Sequence, residues 1–372
     1  MSAASRAIRP ANTVTGSALE TVFPALRDSL RRIALTELPT PVAPAAALAA
    51  ETGLESLHIK RDDQTAPVYG GNKVRKLEYL FGDAIHRGCD AVVTFGAVGS
   101  NHALATAIYA DRLGLGCHVI MTDQPVTPYI ARTLRYHALL GTHLEYADSH
   151  GRAPAIADRL ASRHPTGAGR LYRIPGGGSS PLGALGYVNA ALELAAQCTD
   201  TAPDVIYVPC GTMGTVAGLA LGLRLAGMQT RIEAVRVVPE QVATSSGIEA
   251  LCRAANLRLH EIDATIPLIG DPLNTVRLRE EFFGTGYAET TPGCRQAVAL
   301  IRSTESLVLE TTYTGKALAA LVHDARDGRL NGRRVMFWNT YNARPYPAAV
   351  DDEDGSTLPQ WARRYLREPQ VM

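Results

Sequence analysis

No apolar run in this chain of 372 residues approaches the roughly 20 needed to cross a bilayer, so a transmembrane helix is not expected. The first residues, MSAASRAIRPANTVTGSALE, lack the apolar core of a secretory signal, which makes the cytoplasm the expected location. Charge of one sign is missing too. The 37 Lys and Arg against 36 Asp and Glu leave a net charge of +1, without the basic excess that nucleic acid or an anionic membrane surface favours. The six cysteines lie far apart, and no pair has metal-ligand spacing. They read as small buried hydrophobes in a reducing compartment, and no metal site is expected. Aromatic residues are only 6% of the chain.

What is present is an ordinary globular composition. Apolar residues make up 46%, enough to bury a sizeable core, which excludes a disordered chain. The 33 glycines and 22 prolines imply many tight turns. The length suits two or three domains or one large α/β unit, and there is no internal repeat of fixed period. Residues 1 to about 20 read as a frayed arm.

Beyond that arm the pattern alternates. Runs rich in branched residues predict strands at 56–60, 91–95, 117–121, 170–174, 204–208, 232–238 and 334–338. Amphipathic segments predict helices between them, including 72–87, 101–113, 181–197, 215–225 and 314–327. Such alternation predicts an α/β fold with mostly parallel, twisted sheets covered by helices. Ligands in these folds bind beyond the C-terminal ends of strands, so the strand-to-helix loops carry the chemistry.

Four loops stand out. In YGGNKVRKLEYL, Gly70 and Gly71 permit a close approach, Asn72 reads as an N-cap, and Lys73 enters the first helical turn. The helix dipole disfavours a cation there. Lys73 is either a solvated surface lysine or an amine whose pKa is lowered by Arg75, Lys76 and the dipole. A neutral amine can attack a carbonyl and form a Schiff base. In TFGAVGSNHALA, Ser100-Asn101-His102 opens a helix, either as a plain N-cap or as a site for a substrate carboxylate. In VPCGTMGTVAGL, two glycines and two threonines at a helix start suit a phosphate dianion, or else form a glycine-rich packing turn. That loop lacks the P-loop ending and the GxGxxG spacing. In ETTYTGKALAAL, Tyr313 and Thr314 precede another helix. A lysine for an aldehyde and a helix N-terminus for a phosphate together point to pyridoxal phosphate.

Five blocks, GGNKVRKLEYL, GAVGSNHALATA, IPGGGSSPLGALGYVNAALELAAQC, PCGTMGTVAGLALGL and YTGKALAAL, occur in this order. With them the chain resembles the D-cysteine desulfhydrase and 1-aminocyclopropane-1-carboxylate deaminase family, of tryptophan-synthase-β-like, fold-type-II architecture, over about residues 35–340. The resemblance implies two domains with the cofactor in the cleft between them. The large domain would take residues 1–75 and 186–372, and the small domain 76–185. It implies that Lys73 carries the cofactor as an imine and that Asn101 bonds the cofactor's 3′-oxygen. Gly211, Thr212, Met213, Gly214 and Thr215 would hold the phosphate. Thr340 or Thr314 would face the pyridine nitrogen. Ser100, Asn101 and His102 would line the substrate carboxylate, and Tyr287 and Tyr313 would face substrate. Lys73, Tyr313, Tyr287 and Ser100 are thus the candidate catalytic residues.

Thr314 following Tyr313 resembles the desulfhydrase branch and implies β-elimination from D-cysteine to pyruvate, ammonia and sulfide. Ring-opening of 1-aminocyclopropane-1-carboxylate, a cysteate sulfo-lyase, β-replacement and a non-catalytic binding protein on the same scaffold are the alternatives. A homodimer is implied, with a small amino acid as substrate. Three departures from the family pattern bear on the substrate pocket. Gly99 stands in place of a usual Gln, and could open space. Glu310-Thr311 replaces Asp-Pro. Tyr341-Asn342 stands where Gly-Gly is common, and two bulky polar residues there would reshape the pocket.

Overall fold

A computed structural model of the chain describes residues 17–127, 129–163, 170–199 and 201–366. The strands are β1 (Val42–Pro44), β2 (Ser56–Lys60), β3 (Cys89–Ala97), β4 (Gly116–Thr122), β5 (His143–Tyr146), β6 (Arg170–Arg173), β7 (Val205–Cys210), β8 (Arg231–Arg236), β9 (Val276–Arg279) and β10 (Arg334–Trp338). The helices are α1 (Ala18–Val22), α2 (Ala46–Thr52), α3 (Asn72–His86), α4 (Asn101–Arg112), α5 (Ile130–Leu139), α6 (Ala153–Ser162), α7 (Pro181–Gln197), α8 (Gly214–Leu225), α9 (Ser245–Ile262), α10 (Pro292–Glu305), α11 (Thr314–Arg326), α12 (Ala349–Asp352) and α13 (Gln360–Arg363).

Two sheets result. One has six strands in the order β1-β2-β10-β7-β8-β9, parallel except for β1. The other has four parallel strands in the order β5-β4-β3-β6. The four-stranded sheet is built from chain within 76–185, and the six-stranded sheet from chain on either side of it. Central strands are buried on both faces, as β7 shows by burying all of Val205–Cys210. That double burial is why these strands read as continuous apolar runs.

The seven expected strands are present with small shifts in their ends. The three that the pattern did not indicate, β1, β5 and β9, all lie at sheet edges. They are three or four residues long and largely half-exposed, with polar residues along β5 and β9 and Pro44 in β1. Short polar edges resist intermolecular pairing, and they weaken the sequence signal for the same reason.

The N-terminal arm needs partial correction. Residues 1–16 lie outside the described residues, but 17–20 are docked. Ser17 and Glu20 form a reciprocal capping box at the start of α1. Leu19 is fully buried, and its N–H donates to Asn189 Oδ1 at 2.9 Å.

Beneath the six-stranded sheet's helix layer lies a charged cluster. Arg75 donates to both Asp62 (2.7 Å) and Glu193 (2.9 Å), and Lys60 reaches Glu193 at 2.6 Å. Asp62 also accepts from Tyr187 Oη (2.6 Å) and Trp338 Nε1 (2.8 Å). Every member is a buried residue with a partner, the condition for keeping charge inside a protein. The cluster ties α3 to β2, α7 and β10. Helix α3 also lies against α7 without a gap: a Cβ on Gly186 would sit 2.2 Å from the Arg75 carbonyl oxygen. Both contacts fix the helix that presents Lys73.

Candidate active site

A cavity of about 670 Å³ opens between the two sheets. Lys73, Ser100, Asn101, His102, Gly211, Thr212, Met213, Thr215, Tyr287, Tyr313 and Thr340 all line it, and they come from six separate segments of chain. Of the residues singled out in the sequence, Gly214 and Thr314 do not line it.

The turn before α3 differs from expectation. Gly71, not Asn72, is the N-cap, with φ of 90°, a conformation open to glycine. A Cβ there would also meet the Thr340 carbonyl oxygen at 2.8 Å. Asn72 is therefore the first helical residue, and its side chain is free to donate to Thr215 Oγ1 at 3.0 Å. Its N–H donates to the Thr340 carbonyl at 3.1 Å. One residue thus joins the lysine helix, the α8 loop and the end of β10.

Lys73 follows and keeps part of its surface open to the cavity. Among the described residues its amine has no hydrogen-bond or ion-pair partner. Its pKa falls to about 8 because burial disfavours the charged form, and Glu310 and Cys210 only partly oppose that. The direction matches the sequence reading, but the cause does not. Arg75 is committed to Asp62 and Glu193 and points away. Lys76 is itself pushed well below its usual value, first by burial and then by Lys73. Desolvation, rather than a crowd of positive charge, lowers Lys73 and raises its neutral fraction.

Lys76 is the residue that sequence reasoning missed. It sits three positions after Lys73, almost one helical turn on, and crosses to the α8 loop. Its amine donates to the Gly177 carbonyl at 3.2 Å and to Ser179 Oγ at 3.5 Å, and among the described residues no carboxylate pairs with it. Ser179 Oγ lies 2.8 Å from Thr212 Oγ1 and accepts from the Gly214 N–H at 3.1 Å. Met213 adopts a left-handed φ of 68° and caps α8 with no side-chain bond. The first N–H groups of α8 thus meet two hydroxyls and an amine, a donor set for an anion. The lysine at i+3 on a helix whose first turn lines a glycine-rich loop was the available signal.

Ser100 fulfils the modest reading, since its Oγ accepts from the Ala103 N–H at 3.2 Å as an N-cap, and it also lines the cavity. His102 is turned inward. Its Nε2 lies 2.8 Å from Thr94 Oγ1, and burial, with Lys73 and Lys76 adding to it, drives its pKa well down. It is a neutral ring and not a cationic partner for a carboxylate. Asn101 Oδ1 accepts from Tyr69 Oη at 3.4 Å.

Tyr287 and Tyr313 meet with their hydroxyl oxygens 2.5 Å apart. Burial lifts Tyr287 to about 12 and Tyr313 well above its usual value, so both keep their protons. One hydroxyl can bond the other and leave a proton for the cavity.

Glu310 sets Thr314 and Thr340 apart. Its buried carboxylate accepts from the N–H groups of Thr312 (2.6 Å), Tyr313 (2.9 Å) and Thr314 (2.7 Å) and from Thr314 Oγ1 (3.0 Å). Thr314 is fully buried and spent on this cap, whereas Thr340 lines the cavity. Burial raises the Glu310 pKa against those hydrogen bonds.

The other departures also resolve. Asn342 lines the cavity, but not as a loose polar group. Its Oδ1 accepts from the Gly70 N–H at 2.7 Å and its Nδ2 donates to the Arg344 carbonyl at 2.8 Å, so it braces the turn before Lys73. Tyr341 does line the cavity and meets Tyr129 edge-on at 6.4 Å between ring centres. Gly99 does not open space, because Gln124 fills it.

Comparison with known proteins places this geometry. Residues 33–340 match the family described as pyridoxal-phosphate dependent enzyme. A D-cysteine desulfhydrase of Klebsiella pneumoniae subsp. pneumoniae is 37% identical over 319 residues, spanning 84% of this chain and 94% of that protein. One of Salmonella newport is 36% identical with the same coverage. Among solved structures, an ACC deaminase homologue superposes with a TM-score of 0.73 at 32% identity, over 86% of this chain and 94% of the other.

Proposed function

This chain belongs to the pyridoxal-phosphate dependent enzyme family, and from that premise we propose that it is a lyase for a small amino acid, D-cysteine foremost. The reaction would convert D-cysteine and water to pyruvate, ammonia and hydrogen sulfide, which balances. The observation that carries this reading is the partnerless Lys73 amine, lowered to about 8, facing a cavity that a bonded tyrosine pair also lines.

The residues present fit the cofactor. The anion donor set of Thr212, Ser179, Lys76 and the α8 N-terminus suits its phosphate, and the free amine suits its aldehyde. We assign Thr340 to the pyridine nitrogen, Asn101 to the 3′-oxygen and Lys76 to the phosphate. When bound, pyridoxal phosphate supplies an aldehyde for amines and a ring that stabilises negative charge at the α-carbon.

The chain's own residues do the rest. Ser100 and the first N–H groups of α4 hold the substrate carboxylate. Lys73 Nζ, through the neutral fraction that a pKa of about 8 supplies, takes the α-proton. The Tyr287–Tyr313 pair gives a proton to the departing sulfur. A hydroxyl at Thr340 leaves the facing nitrogen without a full proton, which favours elimination over transamination. The 37% identity to a D-cysteine desulfhydrase, and Thr314 after Tyr313, support this substrate over 1-aminocyclopropane-1-carboxylate. We place the enzyme in the cytoplasm as a homodimer, and its six unpaired thiols suit a reducing compartment.

A panel of D- and L-amino acids with 1-aminocyclopropane-1-carboxylate, assayed for ammonia and α-keto acid, tests the reading. D-cysteine should give the highest kcat/KM with sulfide released in equal amount. Preference for the cyclopropane substrate, or no turnover of any member, would refute it. The rate at which apoprotein takes up pyridoxal phosphate tests the lysine separately. Only the neutral amine attacks, so the rate should rise about ten-fold per pH unit up to about pH 8 and level off above it. Stopped-flow absorbance across pH 6 to 10 would read this out.

A further inference from the structure

Gln124, on the loop between β4 and α5, is assigned by nothing in the family resemblance, yet it lines the cavity beside Ser100 and Asn101. Its side chain lies over Gly99. A Cβ at residue 99 would come within 2.9 Å of Gln124 Nε2 and 3.1 Å of Ile130 Cγ1, so the absence of a side chain at Gly99 is what admits the glutamine.

The amide's orientation is chemically decided. The Gly99 N–H donates to Gln124 Oε1 at 3.1 Å. A backbone N–H can meet only the oxygen of the amide, so the nitrogen must be the other arm. Among the described residues that nitrogen has no hydrogen-bond acceptor. Two N–H donors therefore face the cavity next to the first turn of α4, where the N–H groups of Asn101 and His102 have no acceptor within the helix. Ser100 Oγ accepts as the cap and has a single O–H left to donate, and His102 is bonded to Thr94. Among the described residues no Lys or Arg other than Lys73 and Lys76 lines the cavity, so an added neutral donor carries weight.

The loop is also held from outside. Neighbouring Asp123 accepts from Tyr146 Oη and Tyr365 Oη, each at 2.7 Å, and pairs with Arg364. Tyr365 and Arg364 belong to the C-terminal segment beyond residue 340, where the family match ends. Asp351 of that segment pairs with Arg132 of α5 at 2.8 Å. The C-terminal segment thus straps down the loop that carries Gln124.

We infer that Gln124 is a substrate-positioning residue, its amide N–H groups donating to the carboxylate of the amino-acid substrate while Gly99 holds its oxygen. The inference rests on the amino-acid lyase reading above. Gln124→Met keeps the length that packs over Gly99 and removes the donors. Gln124→Glu keeps the oxygen for the Gly99 N–H and sets an anion against the substrate's own. Steady-state kinetics with D-cysteine should show KM raised about ten-fold in Gln124→Met and about a hundred-fold in Gln124→Glu, the scale of a hydrogen bond to a charged group, each rise exceeding the fall in kcat. The cofactor's visible absorption should match wild type in both. Unchanged KM in Gln124→Met, or equal KM in the two variants, overturns the inference while leaving the lyase reading intact. Absence of wild-type turnover on every amino acid overturns both.

Discussion

Lys73→Ala abolishes turnover, with kcat reduced at least about 10³-fold, and the visible absorption of the bound cofactor disappears. The expected loss exceeds that of an ordinary general base because, on the proposed function, the same nitrogen also anchors the cofactor. A folding defect is not expected, since Lys73 has no hydrogen-bond or ion-pair partner among the described residues to lose. The opposite holds at acid and neutral pH. Burial lowers the amine from 10.5 to about 8, so the folded apoprotein binds this proton less tightly than the unfolded chain does. The native state carries that penalty in full below about pH 8, and the penalty fades as pH climbs from about 8 to 10.5. The alanine variant's apoprotein should therefore melt above wild type at pH 7, and the gap should close toward pH 10.5. Calorimetry of both apoproteins checks the sign. A variant that keeps its visible band, or melts well below wild type, contradicts the assignment.

Arg75→Leu should lose about 3–5 kcal/mol of stability, the range for removing one side of a buried ion pair. Asp62 is fully buried and would lose the Arg75 guanidinium, keeping Thr40, Tyr187 and Trp338 as neutral donors. Glu193 would keep Lys60 and the Thr40 donors. Burial alone would raise the Glu193 carboxyl, but Arg75 and Lys60 outweigh it and hold it at about 2. Stability from this carboxylate is present above about pH 4.5 and is lost as pH falls toward 2. Without Arg75 that acid transition moves to higher pH. Urea unfolding at pH 7 and at pH 4 measures both effects. Activity should suffer as well, because the Asp62 carbonyl accepts the Gly71 N–H at 2.8 Å and so holds the turn that leads into Lys73.

Much of the site was visible in one dimension. Lys73, the Ser100–Asn101 turn and the Gly211–Thr215 loop all lie where a strand or turn opens a helix, and helix N-termini announce themselves locally through glycine and small polar residues. The details that failed are contacts across the chain. Asn72 looked like a cap, yet Gly71 takes that place because the Thr340 carbonyl leaves no room for a side chain. Thr314 and Thr340 were equivalent as hydroxyls, and only the fold of Glu310 onto its own helix start separates them. Gly99 looked like empty space because its occupant lies 25 residues away.

The amino-acid order by itself determined the α/β alternation, the central strands and the placing of Lys73 and the Gly211–Thr215 loop at helix starts. Each depends on a period of two or near four, or on the chemistry of a helix start, and these act over a few residues. Only the tertiary structure decided that desolvation tunes Lys73, that Lys76 turns to the α8 loop, that Gln124 covers Gly99 and that Asn342 braces Gly70 from 272 residues away. Burial and cross-chain hydrogen bonds belong to the packed whole, and no local pattern carries them.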